Sequence, residues 1–146
     1  MDIRFAALCH DLGKALTPPD IWPSHPNHGE AGIPLIETLC ARLKVPTTAR
    51  DLARLAARYH DKIHVINKLS ANELIAIFDG FDSWRKPERI IQLSLISEAD
   101  ARGRLGLEQQ AYPQGEFLRK HLLSRSLSRS NPLLSKGLKG LKFAKS

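Results

Sequence analysis

Apolar positions over the first hundred residues recur at three- and four-residue intervals, the spacing that gathers side chains on one face of a helix. Asp2 caps a first segment with Ile3, Ala6, Ala7 and Leu8 as its apolar contacts; the pattern predicts a helix from Asp2 to about Leu12, stopped by Gly13. Residues 16–34 break the rhythm. Pro18, Pro19, Pro23, Pro26 and Pro34, interleaved with Trp22, His25 and His28, forbid a long helix and predict an ordered loop. A loop of this length in a compact domain is usually functional. Leu35, Leu39 and Leu43, with Ile36 and Cys40 alongside, predict a second helix over about 32–44, with Pro34 in its first turn and Pro46 beyond its end. Thr48 and Asp51 read as a capping box for a third helix reaching about His60 or His64, with Leu52, Leu55, Ala56 and Tyr59 on its apolar face. Ser70 and Glu73 repeat that signature for a short fourth helix that buries Leu74, Ile77 and Phe78 and ends at Gly80. Pro87 opens a fifth, carrying Ile90, Ile91, Leu93, Leu95 and Ile96 as far as Asp100 and Ala101. No alternating apolar–polar run and no Asn-Gly hairpin signal competes, so the expected class is all-α.

Past about Gly115 the texture changes. Residues 118–130 are Leu, Ser, Arg and Lys, apart from His121, with little periodic logic, and residues 132–146 hold two glycines and four lysines. The expectation is a folded domain over residues 2–115 and a poorly packed or disordered basic tail over 116–146. That division also explains the charge. The formal net charge is +7, yet residues 1–113 carry 14 basic and 14 acidic side chains, while residues 114–146 carry eight basic side chains against Glu116 alone. The high isoelectric point therefore gives no basic binding face to the folded body. No apolar run approaches membrane-spanning length and the start lacks a secretory pattern, so a cytoplasmic protein without membrane association is expected. Cys9 and Cys40 lie in apolar stretches and read as buried thiols.

The candidate chemistry begins at Cys9-His10-Asp11-Leu12-Gly13-Lys14. Adjacent helix residues point about 100° apart, yet His10 and Asp11 can grip one ion because a carboxylate has two oxygens. The plain alternative is a capped helix end, with Lys14 as part of the cap. His28, held at the end of the proline-rich loop, is a preorganised ligand or a polar loop residue; His25 ranks below it because Pro26 breaks the spacing. His60 and His64 project from one helix face if the third helix continues, a chelating spacing, although a helix C-terminus also attracts imidazolium. His60 is the better candidate of the two. Asp100, late on an apolar helix, is metal-bound or paired with Arg102 or Arg104. Imidazole and carboxylate together suit divalent transition ions, which polarise phosphoryl oxygens and acidify bound water. Lys14 would then steady a substrate phosphate. No Gly-rich phosphate loop, serine triad or Cys-His nucleophile offers a rival mechanism.

The segment RFAALCHDLGK (4–14) resembles the signature of the HD superfamily of metal-dependent phosphohydrolases. More narrowly, LTPPDIWPSHPNHGEAG (16–32), RDLARLAARYHDKIH (50–64), FDSWRKPERIIQLSLISEADARGR (81–104) and AYPQG (111–115) resemble the HD domain of bacterial multifunctional CCA proteins, over about residues 2–115. The resemblance implies an HD-domain helical bundle with 2′,3′-cyclic phosphodiesterase, 2′-nucleotidase and phosphatase activity. It implies a divalent metal, nickel favoured and cobalt, manganese or magnesium possible. His10, Asp11 and Lys14 match the catalytic segment, and His10, Asp11, His28, His60 and Asp100 match metal ligands. The tRNA 3′ end or a cyclic nucleotide is the implied partner. Three departures accompany the likeness. No nucleotidyltransferase segment precedes the HD signature, so CCA addition by this chain alone is not expected. The first histidine of the family's set belongs to a helix upstream of Met1, leaving the expected bundle incomplete at the N-terminus. The tail after Gly115 resembles out-of-frame translation or a truncated gene end. The alternative to a phosphohydrolase is a catalytically inactive tRNA-binding or structural remnant.

Overall fold

The computed structural model describes residues 1–130, with side chains as far as Arg125. It contains six α-helices and no strand among the described residues: α1 Asp2–Cys9, α2 His28–Leu43, α3 Thr47–His64, α4 Ala71–Gly80, α5 Glu88–Arg102 and α6 Pro113–Ser130. Three 3₁₀ turns, Leu12–Leu16, Pro19–Ile21 and Ile66–Lys68, connect them. The all-α expectation holds.

Helix α3 is the spine. Ala49, Leu52, Ala53, Ala56, Ala57, His60 and Ile63 are buried along it at helical spacing, and the alanines let neighbouring helices approach closely. Leu52, Ala53, Ala56 and Ala57 join Ala6 and Cys9 of α1, Ile36 and Cys40 of α2, and Ile96 of α5 in one apolar cluster. A second cluster gathers Ile63, Ile66, Ile77, Phe78, Phe81, Ile90 and Leu93 with Leu118 and Leu122 of α6. Leu55 and Tyr59, expected on the principal buried face of α3, are half-buried and pack against this second cluster. Cys9 and Cys40 are buried and free, as expected.

Four local expectations need correction. The first helix ends at Cys9 rather than Leu12, and the chain tightens into the 3₁₀ turn containing Gly13. The second helix starts at His28, so the irregular stretch is shorter and Pro34 stands inside the helix rather than in its first turn. Its buried face is Gly32, Ile33, Ile36 and Cys40, and Leu43 is exposed. Pro46 precedes α3 without a side-chain cap, whereas Ser70 and Glu73 do form the reciprocal capping box. Finally, residues 116–130, the first part of the expected loose tail, belong to α6, in which Leu118 and Leu122 are buried. These two leucines supply the apolar anchor that the Ser/Arg-rich composition concealed. Residues 131–146, the remainder of that tail, lie outside the described residues.

The glycines explain why α1, α2 and α3 converge. A Cβ on Gly13 would lie 1.7 Å from the His28 carbonyl oxygen, and one on Gly29 would lie 2.2 Å from that of Ala57. Gly13 thus acts through close backbone approach to α2 rather than as a helix stop. The two contacts bring the HD segment, the start of α2 and the last turns of α3 to one point.

Candidate metal centre

Four elements deliver side chains to that point: the end of α1 with the turn after it (His10, Asp11), the first residue of α2 (His28), the last turns of α3 (His60, Asp61, His64) and α5 (Asp100). His10, His28 and His60 are buried. One oxygen of Asp11, Oδ1, lies 3.1 Å from His28 Nε2 and 3.4 Å from His60 Nε2. Asp100 Oδ1 lies 3.2 Å from His10 Nε2. His28 Nε2 and His60 Nε2 are 3.4 Å apart. Two triads result, His10/His60/Asp100 and Asp11/His28/His60, each with its donor atoms within 4.8 Å of one another.

The outer nitrogens determine what these rings offer. His10 Nδ1 lies 2.6 Å from the Ala7 carbonyl oxygen, His28 Nδ1 3.0 Å from that of His25, and His60 Nδ1 2.9 Å from that of Ala56. A carbonyl only accepts, so all three rings carry a proton on Nδ1. In the neutral ring, each Nε2 lone pair then faces the centre. A metal-ligating histidine has this tautomer, its outer N–H held by a carbonyl and its other nitrogen turned to the ion.

The donor set also passes a fit test. His10 Nε2 and Asp11 Oδ1 are buried without a hydrogen-bond partner among the described residues, although buried polar atoms are normally satisfied. Adjacent donors about 2.0–2.1 Å from a tetrahedral or octahedral ion lie about 2.8–3.4 Å apart, a range that includes the distances of Asp11 Oδ1 to His28 and His60 and of Asp100 Oδ1 to His10. With no ion, protons substitute. Burial pushes the His10 imidazolium down, but the Asp100 and Asp11 carboxylates outweigh it and hold its pKa at about 10. Burial likewise opposes protonation of His60, and Asp11 and Asp61 raise it to about 9. Burial pushes the Asp11 carboxyl up, but His10, His60 and Lys14 bring it far below the usual carboxylate range. His10 and His64 hold Asp100 low in the same way.

The comparison with protein families now bears on this geometry. A family model for the HD domain matches residues 1–102. The chain belongs to the HD domain family. No solved structure matches it. HD domains bind divalent metals, in accord with a His/Asp cluster that can hold a divalent ion.

All five residues expected as ligands, His10, Asp11, His28, His60 and Asp100, come together in this HD domain. Lys14 Nζ lies 2.8 Å from Asp11 Oδ2, so the lysine touches the HD pair directly. His25 does not reach the centre; its Nδ1 is 2.9 Å from the Thr17 hydroxyl. Asp100 does not pair with the neighbouring arginines: Arg102 bonds Glu98 and the Gln110 carbonyl, and Asp100 faces His10 and His64. Two participants were not among the expected site residues. Asp61 Oδ1 is 3.2 Å from His60 Nε2, and His64, read only as a possible chelator alongside His60, instead bonds Asp100 Oδ2 at 2.7 Å. The i, i+1 and i, i+4 relations to His60 on one helix were the available signal. His10, Asp11, His60 and Asp100 floor a cleft of about 430 Å³ whose walls include Lys14, Asp61, His64 and Arg104.

Proposed function

We propose that this HD domain is a metal-dependent phosphohydrolase that opens 2′,3′-cyclic phosphodiesters and removes terminal phosphates, with a cyclic nucleotide or the tRNA 3′ end as substrate, in the manner of the HD domain of bacterial CCA proteins. The observation that carries this reading is the convergence of three Nε2 atoms on the Asp11 and Asp100 carboxylates beneath an open cleft. Three imidazoles with two carboxylates favour nickel or cobalt over manganese, and magnesium least. A divalent ion bound there would polarise a phosphoryl oxygen and acidify a water molecule.

The chain's own groups supply the rest. Lys14 and Arg104, both lining the cleft, present cations to the non-bridging phosphate oxygens. Lys14 is oriented by its ion pair with Asp11. Asp61, with 62% of its side chain exposed, keeps its carboxyl deprotonated because His60 lowers its pKa; it stands where it can take a proton from an attacking water. Among the described residues no helix is long and apolar enough to cross a membrane. The test is hydrolysis of 2′,3′-cyclic AMP and a 2′-nucleotide by the nickel-loaded chain and by Asp11→Ala. Turnover lost in the variant is expected. Absence of both nickel binding and turnover in the wild-type chain overturns the proposal, and salt-dependent tRNA binding under those conditions would favour the inactive tRNA-binding alternative.

A further inference from the structure

Three histidines of the cluster donate Nδ1–H to the main chain; His64 is wired the other way. Its Nε2 is 2.7 Å from Asp100 Oδ2 and its Nδ1 is 2.8 Å from the Tyr112 hydroxyl. An ionised carboxylate only accepts, so the proton between His64 and Asp100 belongs to His64 Nε2. That nitrogen therefore has no lone pair to give an ion. In the neutral ring, Nδ1 is the acceptor and Tyr112 donates to it. Gln114 Nε2 donates to the His64 carbonyl at 3.3 Å, fixing the same turn of main chain from the start of α6. Asp100, held at Oδ2, directs its other oxygen toward His10 Nε2 at 3.2 Å.

We propose that Tyr112 and His64 are positioning residues that lock the Asp100 carboxylate so that Oδ1 alone serves the cluster, with His64 itself not a ligand. Tyr112 lies beyond residues 1–102, the segment matched by the family model, so this device ties the centre to a part of the chain outside that match. A carboxylate free to rotate can bind an ion through one oxygen or both; a donor fixed on Oδ2 removes that choice. The proposal rests on the metal-dependent reading for its effect on affinity, while the wiring of His64 is a property of the metal-free chain.

The test titrates cobalt(II) into the full chain and into Tyr112→Phe, His64→Ala, His64→Gln and His60→Ala, with melting temperature measured for each. Outer-shell partners are worth about 10–100-fold in metal affinity. His64→Ala should therefore weaken cobalt by about that factor, Tyr112→Phe by a smaller factor, and His60→Ala by more than either. His64→Gln, which restores an N–H donor, should recover part of the loss. In parallel, nitrogen-detected NMR of the metal-free chain should find His64 protonated on Nε2, with its Nδ1 resonance moved by Tyr112→Phe. Zinc addition should give ligand shifts at His10 and His60 but not at His64. A zinc-ligand shift at His64, with His64→Ala as damaging as His60→Ala, would overturn the assignment. So would melting temperatures that fall in His64→Ala and Tyr112→Phe while cobalt affinity stays unchanged. A wild-type chain that takes up no cobalt refutes the metal reading instead, and the NMR measurement then still decides whether His64 holds Asp100.

Discussion

His60 has one lone pair to offer and belongs to both triads. An imidazole nitrogen ligates one ion at a time, so the two sets compete for His60 or share a single ion. Replacing it damages both, whereas His28→Ala and Asp100→Ala each leave one triad whole. His60→Ala should therefore lower nickel affinity by more than the ~10–100-fold of an outer-shell partner, and more than either of the other two; isothermal titration checks the order. The protons on these rings give a second prediction. Metal must displace them, so apparent affinity should rise with pH toward about 9–10, where His60 and His10 lose their protons unaided. About one to two protons should be released per ion near neutrality, measurable in buffers of different ionisation enthalpy. For the metal-free fold the sign is opposite. Folding raises both rings above their ordinary 6.5, so their contribution is complete below that value and lost as pH climbs through about 9 and 10. The lowered Asp11 and Asp100 contribute above 3.8 and lose that contribution as pH falls through their depressed range. Metal-free melting temperature should thus be highest between pH 3.8 and 6.5, fall as pH rises from there, and have lost the contribution of both rings by about pH 10.

At the level of elements, the site depends on how closely α2 lies against its neighbours. Gly13→Ala would drive a methyl into the His28 carbonyl, and Gly29→Ala into that of Ala57. Neither obstacle is a flexible side chain, so each substitution should cost at least the ~1–3 kcal/mol of an overpacked core, seen as a lower melting temperature together with weaker nickel binding. The helices themselves were legible from apolar spacing and capping residues, Ser70 and Glu73 being the clearest instance. The ligands were legible through the HD signature and its flanking segments. Other features were not. Pro34 suggested a helix boundary, and only the backbone contacts of Gly13 and Gly29 account for a start as early as His28. Asp61 and His64 sat beside a recognised candidate, but which of two neighbouring rings faces an ion depends on who bonds its outer nitrogen. For His64 that partner is 48 residues away.

For the molecule as a whole, the two apolar clusters share α3 and α5 but divide the labour. The first packs α1 and α2 against Leu52, Ala53, Ala56 and Ala57 of α3, and the second ties α4 and α6 to Ile63 in its last turn. An ion that binds only the folded chain stabilises it by about 2.7 kcal/mol at a concentration 100 times its dissociation constant. Nickel should accordingly raise the wild-type melting temperature by several degrees and leave that of Asp11→Ala nearly unchanged, a comparison that calorimetry provides directly.

The glycine contacts carry one more consequence. Where side chains separate two helices, a change in volume is absorbed by repacking and the helices drift. Where peptide groups meet directly, nothing between them can yield. The spacing of His28 from Asp11 and His60 is thereby insulated from the remote cluster around Phe78. Phe78→Leu should destabilise the fold by about 1–3 kcal/mol of lost packing, seen as a lower melting temperature, yet leave nickel affinity within about threefold, roughly 0.7 kcal/mol. In this chain, durability of the fold and fidelity of the metal grip are separately adjustable.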